Sequence, residues 1–433
     1  MKKILFTLFL THIFFISCSS SSSVLVLWTE APVFAYYAQL FNASQTKYKI
    51  EVHEKKNLVK ELLNNGKNKK DAPDIAVGKW LKSASVSHLW RETGFLFKKN
   101  DIQEEIFYKS LLDFGKIAKK QIFLPLSFNI GAIAFLPEEL KKAAEQNENS
   151  VLERNVFISI DEMKKYASLF NAQKGAAFRR GFSPTWNWNG GFLYSAAGIY
   201  GASFEEKDSV ISWNDAVLEE AITGFKSWVN ENGGSGAEDD FIFKYSHEPP
   251  DRLIDKGRIL FIYIKSNDLF NLSLEELNRL DYRWLSHKTD DGEKIQILED
   301  VVLLGVTKKC KKEDAFLAFI KWFYSEYTQE ELLEENRKAH ISESVFAISG
   351  GFSSMRSVNE FILPKFYPAL LTHLPPDDYL LKPKTFSSNW PDVKERVITP
   401  YIRERVKTEG EPARPLDQRL AEWTRINSGQ AKK

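Results

Sequence analysis

Nine residues, SPTWNWNGG at positions 183–191, set two indoles among amides, hydroxyls and glycines. Trp186 and Trp188 alternate with Thr185, Asn187 and Asn189, and Ser183, Gly190 and Gly191 add turn chemistry that ordinarily gives an indole no core to hide in. If the stretch is extended, both indoles face one way and the polar side chains the other; in a turn, both sets can face one cavity. This mixture suits a sugar. The axial C–H face of a pyranose lies flat on an indole, while its hydroxyls need donors and acceptors, and an asparagine amide offers both. Covering roughly 50 Å² of apolar face gives about 1.3 kcal/mol per ring. A few such rings with several hydrogen bonds reach micromolar affinity after the costs of ordering. The competing expectation is that one or both indoles plug a core against Phe182, Phe192 and Tyr194.

Residue patterns for bond-breaking chemistry are sparse. The seven histidines are scattered, with no pair at metal-ligand spacing. HEPPD at 247–251 cannot form a zinc-binding helix, because Pro249 and Pro250 break it. Neither a Gly-x-x-x-x-Gly-Lys phosphate loop nor a Gly-x-Ser-x-Gly elbow occurs. Acidic pairs such as Asp377 and Asp378, or the run Glu238 to Asp240, read as hydrated loop residues. No catalytic residue, metal or cofactor is expected.

The elements that must position the indoles follow from length and pattern. A chain of 433 residues exceeds one ordinary core, so two lobes are expected. Its 59 lysines and arginines nearly cancel 58 acidic residues, and nothing in that balance draws it to nucleic acid. The densest basic cluster, Lys55, Lys56, Lys60, Lys67, Lys69 and Lys70, flanks a helical pattern of Leu58, Val59, Leu62 and Leu63 and reads as a solvated helix face. At the start of the chain, Lys2 and Lys3 precede an apolar run over 4–16, too short to cross a bilayer but suited to a secretory signal. Ser17 and Cys18, followed by serines at 19–23, resemble a bacterial lipoprotein signal. That resemblance implies export, lipidation of Cys18 and a membrane anchor through the N-terminal lipid. The serine tract would then be a flexible tether with a reach of roughly 13 Å. Cys310 is left without a disulfide partner.

After the tether, extended and helical patterns alternate. VLVLW (24–28) reads as a buried strand, and PVFAYYAQLF (32–41) as a helix with Pro32 in its first turn. YKIEVH (48–53) alternates as a strand, and PDIAV (73–77) is another strand, closed by Gly78. Helices are expected at 138–146, 161–173, 214–231 and 313–327, and strands at 258–264 and 300–306. NGGSG at 232–236 reads as a flexible break, followed by an acidic surface loop. Strands separated by helices argue for crossovers and a mostly parallel sheet.

Four stretches carry a family resemblance: the strand ending in Trp28, Thr29 and Glu30, APDIAVG (72–78), LPLSFNIGAIAFLPEEL (124–140), and RLIDKGRILFIYIKSND (252–268) with the later helix DAFLAFIKWFYSEYTQEELLEEN (314–336). In this order they resemble the extracellular solute-binding proteins of ABC importers, in the maltose-binding-like, carbohydrate-type cluster. The resemblance implies an α/β fold of two lobes, the type II periplasmic-binding-protein architecture, each lobe a mixed, mostly parallel sheet flanked by helices. A ligand cleft would lie between the lobes and close on its occupant. Crossings are placed near Leu126, Val301 and Ser344, giving one lobe of 24–125 plus 302–344 and a second of 126–301 plus 345–433.

Ligands of open α/β sheets collect at the carboxyl ends of strands, which adds candidates to Trp186, Asn187 and Trp188. Trp28 and Glu30 end the first strand, and Trp80 follows the Pro-Asp strand; core packing or a surface position are their alternatives. Asn129 falls at the first crossing, Tyr263, Lys265, Asn267 and Asp268 at the end of the strand beginning near Ile259, and Glu299 and Asp300 at the second crossing. Arg356, in GGFSSMRSV (350–358), could fork onto a ligand oxygen or cap a helix. The implied role is that of a monomeric lipoprotein that captures a sugar or oligosaccharide and delivers it to a permease. The alternatives are an exported glycosidase, whose two carboxylates could be far apart in sequence, or a binder of another solute such as a polyamine.

Overall fold

The computed structural model describes residues 23–65, 72–145, 156–171, 178–189, 191–207, 210–375, 377–407 and 414–430. The signal segment 1–17, Cys18, most of the serine tract and Lys67, Lys69 and Lys70 lie outside the described residues. Two six-stranded sheets, each packed with helices, organise the rest. In the first, the order is Phe352–Ser353, Phe123–Phe128, Val302–Val306, Ile75–Gly78, Ser23–Thr29 and Tyr48–Glu54. In the second, Phe261–Lys265, Gly131–Phe135, Asp281–Thr289, Gly292–Gln296 and Leu380–Leu381 follow one another, and Phe157–Ser159 adds to the Asp281–Thr289 strand. The α/β class and the mixed sheets agree with the expectation, but the sheets are not mostly parallel. Ser23–Thr29 runs parallel to both of its neighbours, whereas Val302–Val306 runs antiparallel to both of its own. The reason is topological: the Val302–Val306 strand enters from the other sheet rather than through a helix on its own.

The local patterns form the elements they predict. The helix Val33–Ser44 begins after Pro32 and turns Val33, Phe34, Tyr37 and Phe41 into the first core. The expected helix over 313–327 is two, Glu313–Phe323 and Glu326–Lys338, because the Tyr324 hydroxyl is held by the Pro125 carbonyl at 2.8 Å and Ser325 is extended. The expected break and acidic loop after 232 is instead the helix Gly234–Tyr245. Gly233 and Gly234, at φ of 96° and 76°, make only the tight turn into it. Glu238 is 2 % exposed and accepts a hydrogen bond from the Thr185 hydroxyl, while Phe241 and Tyr245 are buried. Spacing of four residues puts Phe241 and Tyr245 on one helix face, and that apolar face overrides the glycines.

The chain passes between the sheets three times. Residues 129–130 lead from the Phe123–Phe128 strand into Gly131–Phe135, and 297–301 return it to Val302–Val306. The third passage lies later than Ser344, since Phe352 and Ser353 still pair with Phe128 and Ser127 of the first sheet. That pairing puts Phe352 and Ser353, expected in the second lobe, at the edge of the first sheet. Cys310 is buried and unpaired, and burial pushes its thiol up. Among the described residues no helix is long and apolar enough to cross a membrane.

Candidate functional site

The ends of the Ser23–Thr29 and Ile75–Gly78 strands and the short helix Ser266–Phe270 face one another across a cavity of about 730 Å³. Its walls include Glu30, Tyr36, Gly78, Lys79, Asn267 and Asn271, drawn from both sides of the molecule. On the other side of the same short helix lies a second cavity, of about 670 Å³. There Asn187, Trp188 and Tyr263 meet Lys265 and Asp268, with Lys394 and Arg403 arriving from the C-terminal part of the chain. The helix Ser266–Phe270 thus divides two adjoining chambers.

Tyr263 is positioned by what its neighbours lack. A side chain on Gly131 would come within 2.8 Å of its ring, and one on Gly191 within 3.2 Å, so glycine on both sides lets the phenol sit edge-on between strand and loop. Its hydroxyl lies 2.8 Å from that of Ser195. Burial raises the phenol well above its ordinary range, so it stays a neutral hydrogen-bonding group. Trp188 is half-buried at the mouth, its ring 5.0 Å from that of Trp186.

Charge concentrates where the chambers meet. Asp300 pairs with Lys79 at 3.1 Å, and Glu299 forms a close ion pair with Lys394. Burial pushes the Asp300 carboxyl up, but Lys79 and Lys265 together outweigh it and hold it below the usual range. Glu30 accepts a 2.7 Å hydrogen bond from the Lys79 amide, yet burial still lifts its carboxyl. Asp268 is also raised, by burial and by Asp300, against the pull of Lys265. Four cations (Lys265, Arg279, Lys394 and Arg403) and five carboxylates (Asp251, Asp255, Asp268, Glu276 and Glu395) line the 670 Å³ chamber, so its charge nearly cancels. Among the described residues no cluster of histidine, cysteine and acidic side chains could hold a metal ion.

Of the residues expected at a site, Asn187, Trp188, Tyr263 and Lys265 line one chamber and Glu30 and Asn267 the other. Glu299 and Asp300 sit at their junction through the lysines they pair with. Trp80 packs against both cores, with its backbone in the left-handed region at φ 62°. The remaining four are corrected. Trp28 is 2 % exposed in the first core, where the Lys55 ammonium lies 4.2 Å over its ring; Leu27 and Thr29 on the opposite face are buried too, so both faces of this strand are covered. Trp186 is fully buried in the second core, stacked 5.4 Å from Phe241. Asn129 is consumed by the backbone crossing: it donates to the Gly350 carbonyl at 3.0 Å and accepts from the Ser266 hydroxyl at 2.8 Å. Arg356 lies at the surface, 3.4 Å from Asp377.

Sequence reasoning missed Lys79, Lys394 and Arg403. Lys79 was within reach, since it follows Gly78 at a strand end. Nothing in the spacing of Lys394 or Arg403 points to a chamber built more than a hundred residues earlier.

The fold has counterparts among solved structures. The sugar-binding protein MalE from Xanthomonas citri superposes with a TM-score of 0.65 at 11 % identity, covering 94 % of this chain and 99 % of that one. A probable secreted solute-binding lipoprotein from Streptomyces coelicolor gives 0.64 at 12 % identity, with 94 % and 99 % covered. The cyclic alpha-maltosyl-1,6-maltose binding protein from Arthrobacter globiformis gives 0.62 at 15 %, with 92 % and 96 % covered. The fold is that of the maltose-binding-like, type II solute-binding proteins. No protein-family model and no curated protein matches the sequence. At these identities the likeness extends to the fold; the side chains of the chambers are this chain's own.

Proposed function

We infer that this protein binds a sugar or oligosaccharide in the two chambers between its sheets and delivers it to an ABC permease as the importer's substrate-binding component. The observation that carries this reading is the 670 Å³ chamber, in which the part-exposed Trp188 ring and the buried Tyr263 phenol stand beside a nearly neutral set of charged donors and acceptors. A neutral, polyhydroxylated guest uses both signs of charge as hydrogen-bond partners, whereas a polyamine would want the carboxylates without the lysines. Two of the structures above support it, one being a sugar-binding protein and another a cyclic alpha-maltosyl-1,6-maltose binding protein. The adjoining 730 Å³ chamber gives room for more than one sugar ring. The two lobes are the bodies around the two sheets, and closure about the three crossings would hold the guest.

The chain is further read as exported, monomeric and tethered by a lipid on Cys18, outside the membrane that its permease spans. Calorimetry of the chain from residue 24 onward against a panel of saccharides tests binding. Saturable heat with one sugar and no product by chromatography is expected; turnover of a glycoside would refute the binding role in favour of a glycosidase. Replacing Cys18→Ala should move the protein from the detergent to the aqueous phase, and continued detergent partitioning would exclude the lipid.

A further inference from the structure

A third cavity, of about 330 Å³, shares no residue with either chamber. Lys82, Ser83, Ser87 and Lys116 stand on one side of it, and the strand Glu205–Lys207 with residues 385–387 on the other. Lys82 reaches it with a part-exposed side chain. Its Nζ lies 4.4 Å over the Phe114 ring and donates to the Phe114 carbonyl at 2.6 Å. That carbonyl ends the helix Lys109–Phe114, where the helix has no further amide to offer it.

The acceptor is what sets this lysine apart. Lys79, Lys312 and Lys394 also turn inward, and each meets a carboxylate. Lys82 meets a neutral carbonyl, and no carboxylate acts on it. The other charged groups of the cavity leave it so: Lys116 is turned to Asp113 at 2.6 Å, Glu206 is held by the Ser387 amide and hydroxyl at 2.8 and 2.6 Å, and Lys207 is exposed. Burial first, and the nearby Lys382 second, lower the Lys82 ammonium to about 8. A carboxylate would fix the charged form, whereas a carbonyl also accepts from a neutral amine. The free amine therefore keeps its bond to Phe114 and has its lone pair unused, which is the condition of a nucleophilic lysine.

We propose that Lys82 is a modification site, whose amine condenses with the carbonyl of a small hydroxyaldehyde admitted to this cavity. The amine nitrogen forms a bond to the carbonyl carbon, and the carbonyl oxygen leaves as water with both amine protons, so an imine results and nothing is oxidised or reduced. The hydroxyls of Ser83, Ser87, Thr385 and Ser387 suit the hydroxyl of such a guest. The site stands apart from the sugar reading, because it draws on no chamber residue.

Glycolaldehyde with sodium cyanoborohydride, which reduces the imine to a stable secondary amine, tests it on the folded chain at pH 7, with peptide mass spectrometry as the readout. With the ammonium at about 8 roughly a tenth of Lys82 is free amine at that pH, against less than roughly a thousandth of an ordinary lysine. Lys82 should therefore be labelled roughly tenfold or more faster than the exposed Lys98 and Lys119, after allowance for its weaker intrinsic basicity. Its rate should level off as pH passes about 8, while theirs keep rising to the end of a series run to about 9. In chain unfolded by urea the preference should vanish. Labelling of Lys82 no faster than that of Lys98 and Lys119 overturns the proposal. So does a preference that persists in the unfolded chain, or a rate for Lys82 that climbs with pH in parallel with theirs.

Discussion

Replacing the two indoles of the TWNW stretch one at a time should separate fold from function, because the structure gives them opposite surroundings. Trp186 is completely buried, stacked at 16° on Phe241 and 5.9 Å from Phe182. Trp186→Ala removes the whole indole from a close-packed core, which costs about 3–5 kcal/mol. With a urea dependence of about 2–3 kcal/mol per molar for a body of this size, the midpoint falls by roughly 1.5 M. Trp188 keeps part of its surface and lines the 670 Å³ chamber, so Trp188→Ala forfeits mainly a stacking face. At about 25 cal/mol per Å² over roughly 50 Å², the loss is about 1.3 kcal/mol, or roughly ninefold in the dissociation constant. Its contact with Trp186 adds a stability cost of about 1 kcal/mol at most. Urea denaturation followed by circular dichroism, and calorimetry with the sugar found in the panel, read the two effects separately. Trp186→Phe, which keeps a ring on Phe241, should leave affinity within roughly twofold of the parent. The reasoning fails if Trp188→Ala unfolds as readily as Trp186→Ala, or if it binds the sugar as tightly as the parent while Trp186→Phe does not.

Three further outcomes are expected. Asn129→Ala leaves the Ser266 hydroxyl and the Gly350 carbonyl without their partner, which should cost about 1–3 kcal/mol in chemical denaturation; a neutral effect would show that the amide does not hold the crossing. Lys394→Met strands the Glu299 carboxylate, at about 3 kcal/mol, and adding Glu299→Leu should recover most of that loss in a double-mutant cycle; additive losses would exclude the pairing. Burial and the nearby Lys382 lower the Lys82 ammonium to about 8 from 10.5. The folded chain therefore binds fewer protons than the unfolded one between those values, and stability rises with pH across that window. Lys82→Met should be more stable than the parent below pH 8, by up to about 3 kcal/mol less the contribution of its bond to the Phe114 carbonyl. The gap should close as pH climbs towards 10.5, and a gap that does not vary with pH would refute the assignment.

The elements themselves were legible because their signals are local. Alternation or helical spacing within ten residues marks Ser23–Thr29, Val33–Ser44, Tyr48–Glu54 and Ile75–Gly78 to within three residues at each end. Pairing was not, because the partner of a strand is set by how the chain returns. Nothing within VLLGV says that it will lie antiparallel between Ile75–Gly78 and Phe123–Phe128. The stretch after 232 failed for a related reason. Three glycines and three acids look like a loop until Thr185, 53 residues earlier, supplies a partner for Glu238 and Trp186 supplies a ring for Phe241. The same distant contacts decided which indole is core and which lines the chamber.

The candidate site was legible at strand ends and illegible where helices bring in charge, and the second crossing shows why this matters for function. Glu299 and Asp300 are consecutive, yet they hold lysines from opposite sides of the molecule. Asp300 takes Lys79, which follows a strand of the first sheet, and Glu299 takes Lys394, from the helical C-terminal part that packs on the second core. Asn129 and Ser266 tie the neighbouring crossing to the helix that divides the chambers. A guest lying across that helix would therefore touch the same lysines and the same short helix that the crossings hold in place. Sequence offers Asn129, Glu299 and Asp300 as isolated polar groups at the crossings, and Lys394 not at all. Their coupling exists only because three passages of the chain, near 130, 299 and after 353, converge on one narrow seam. On the proposed function, binding in the chambers and movement about that seam would act on one set of contacts, as a ligand that shifts an open form towards a closed one requires.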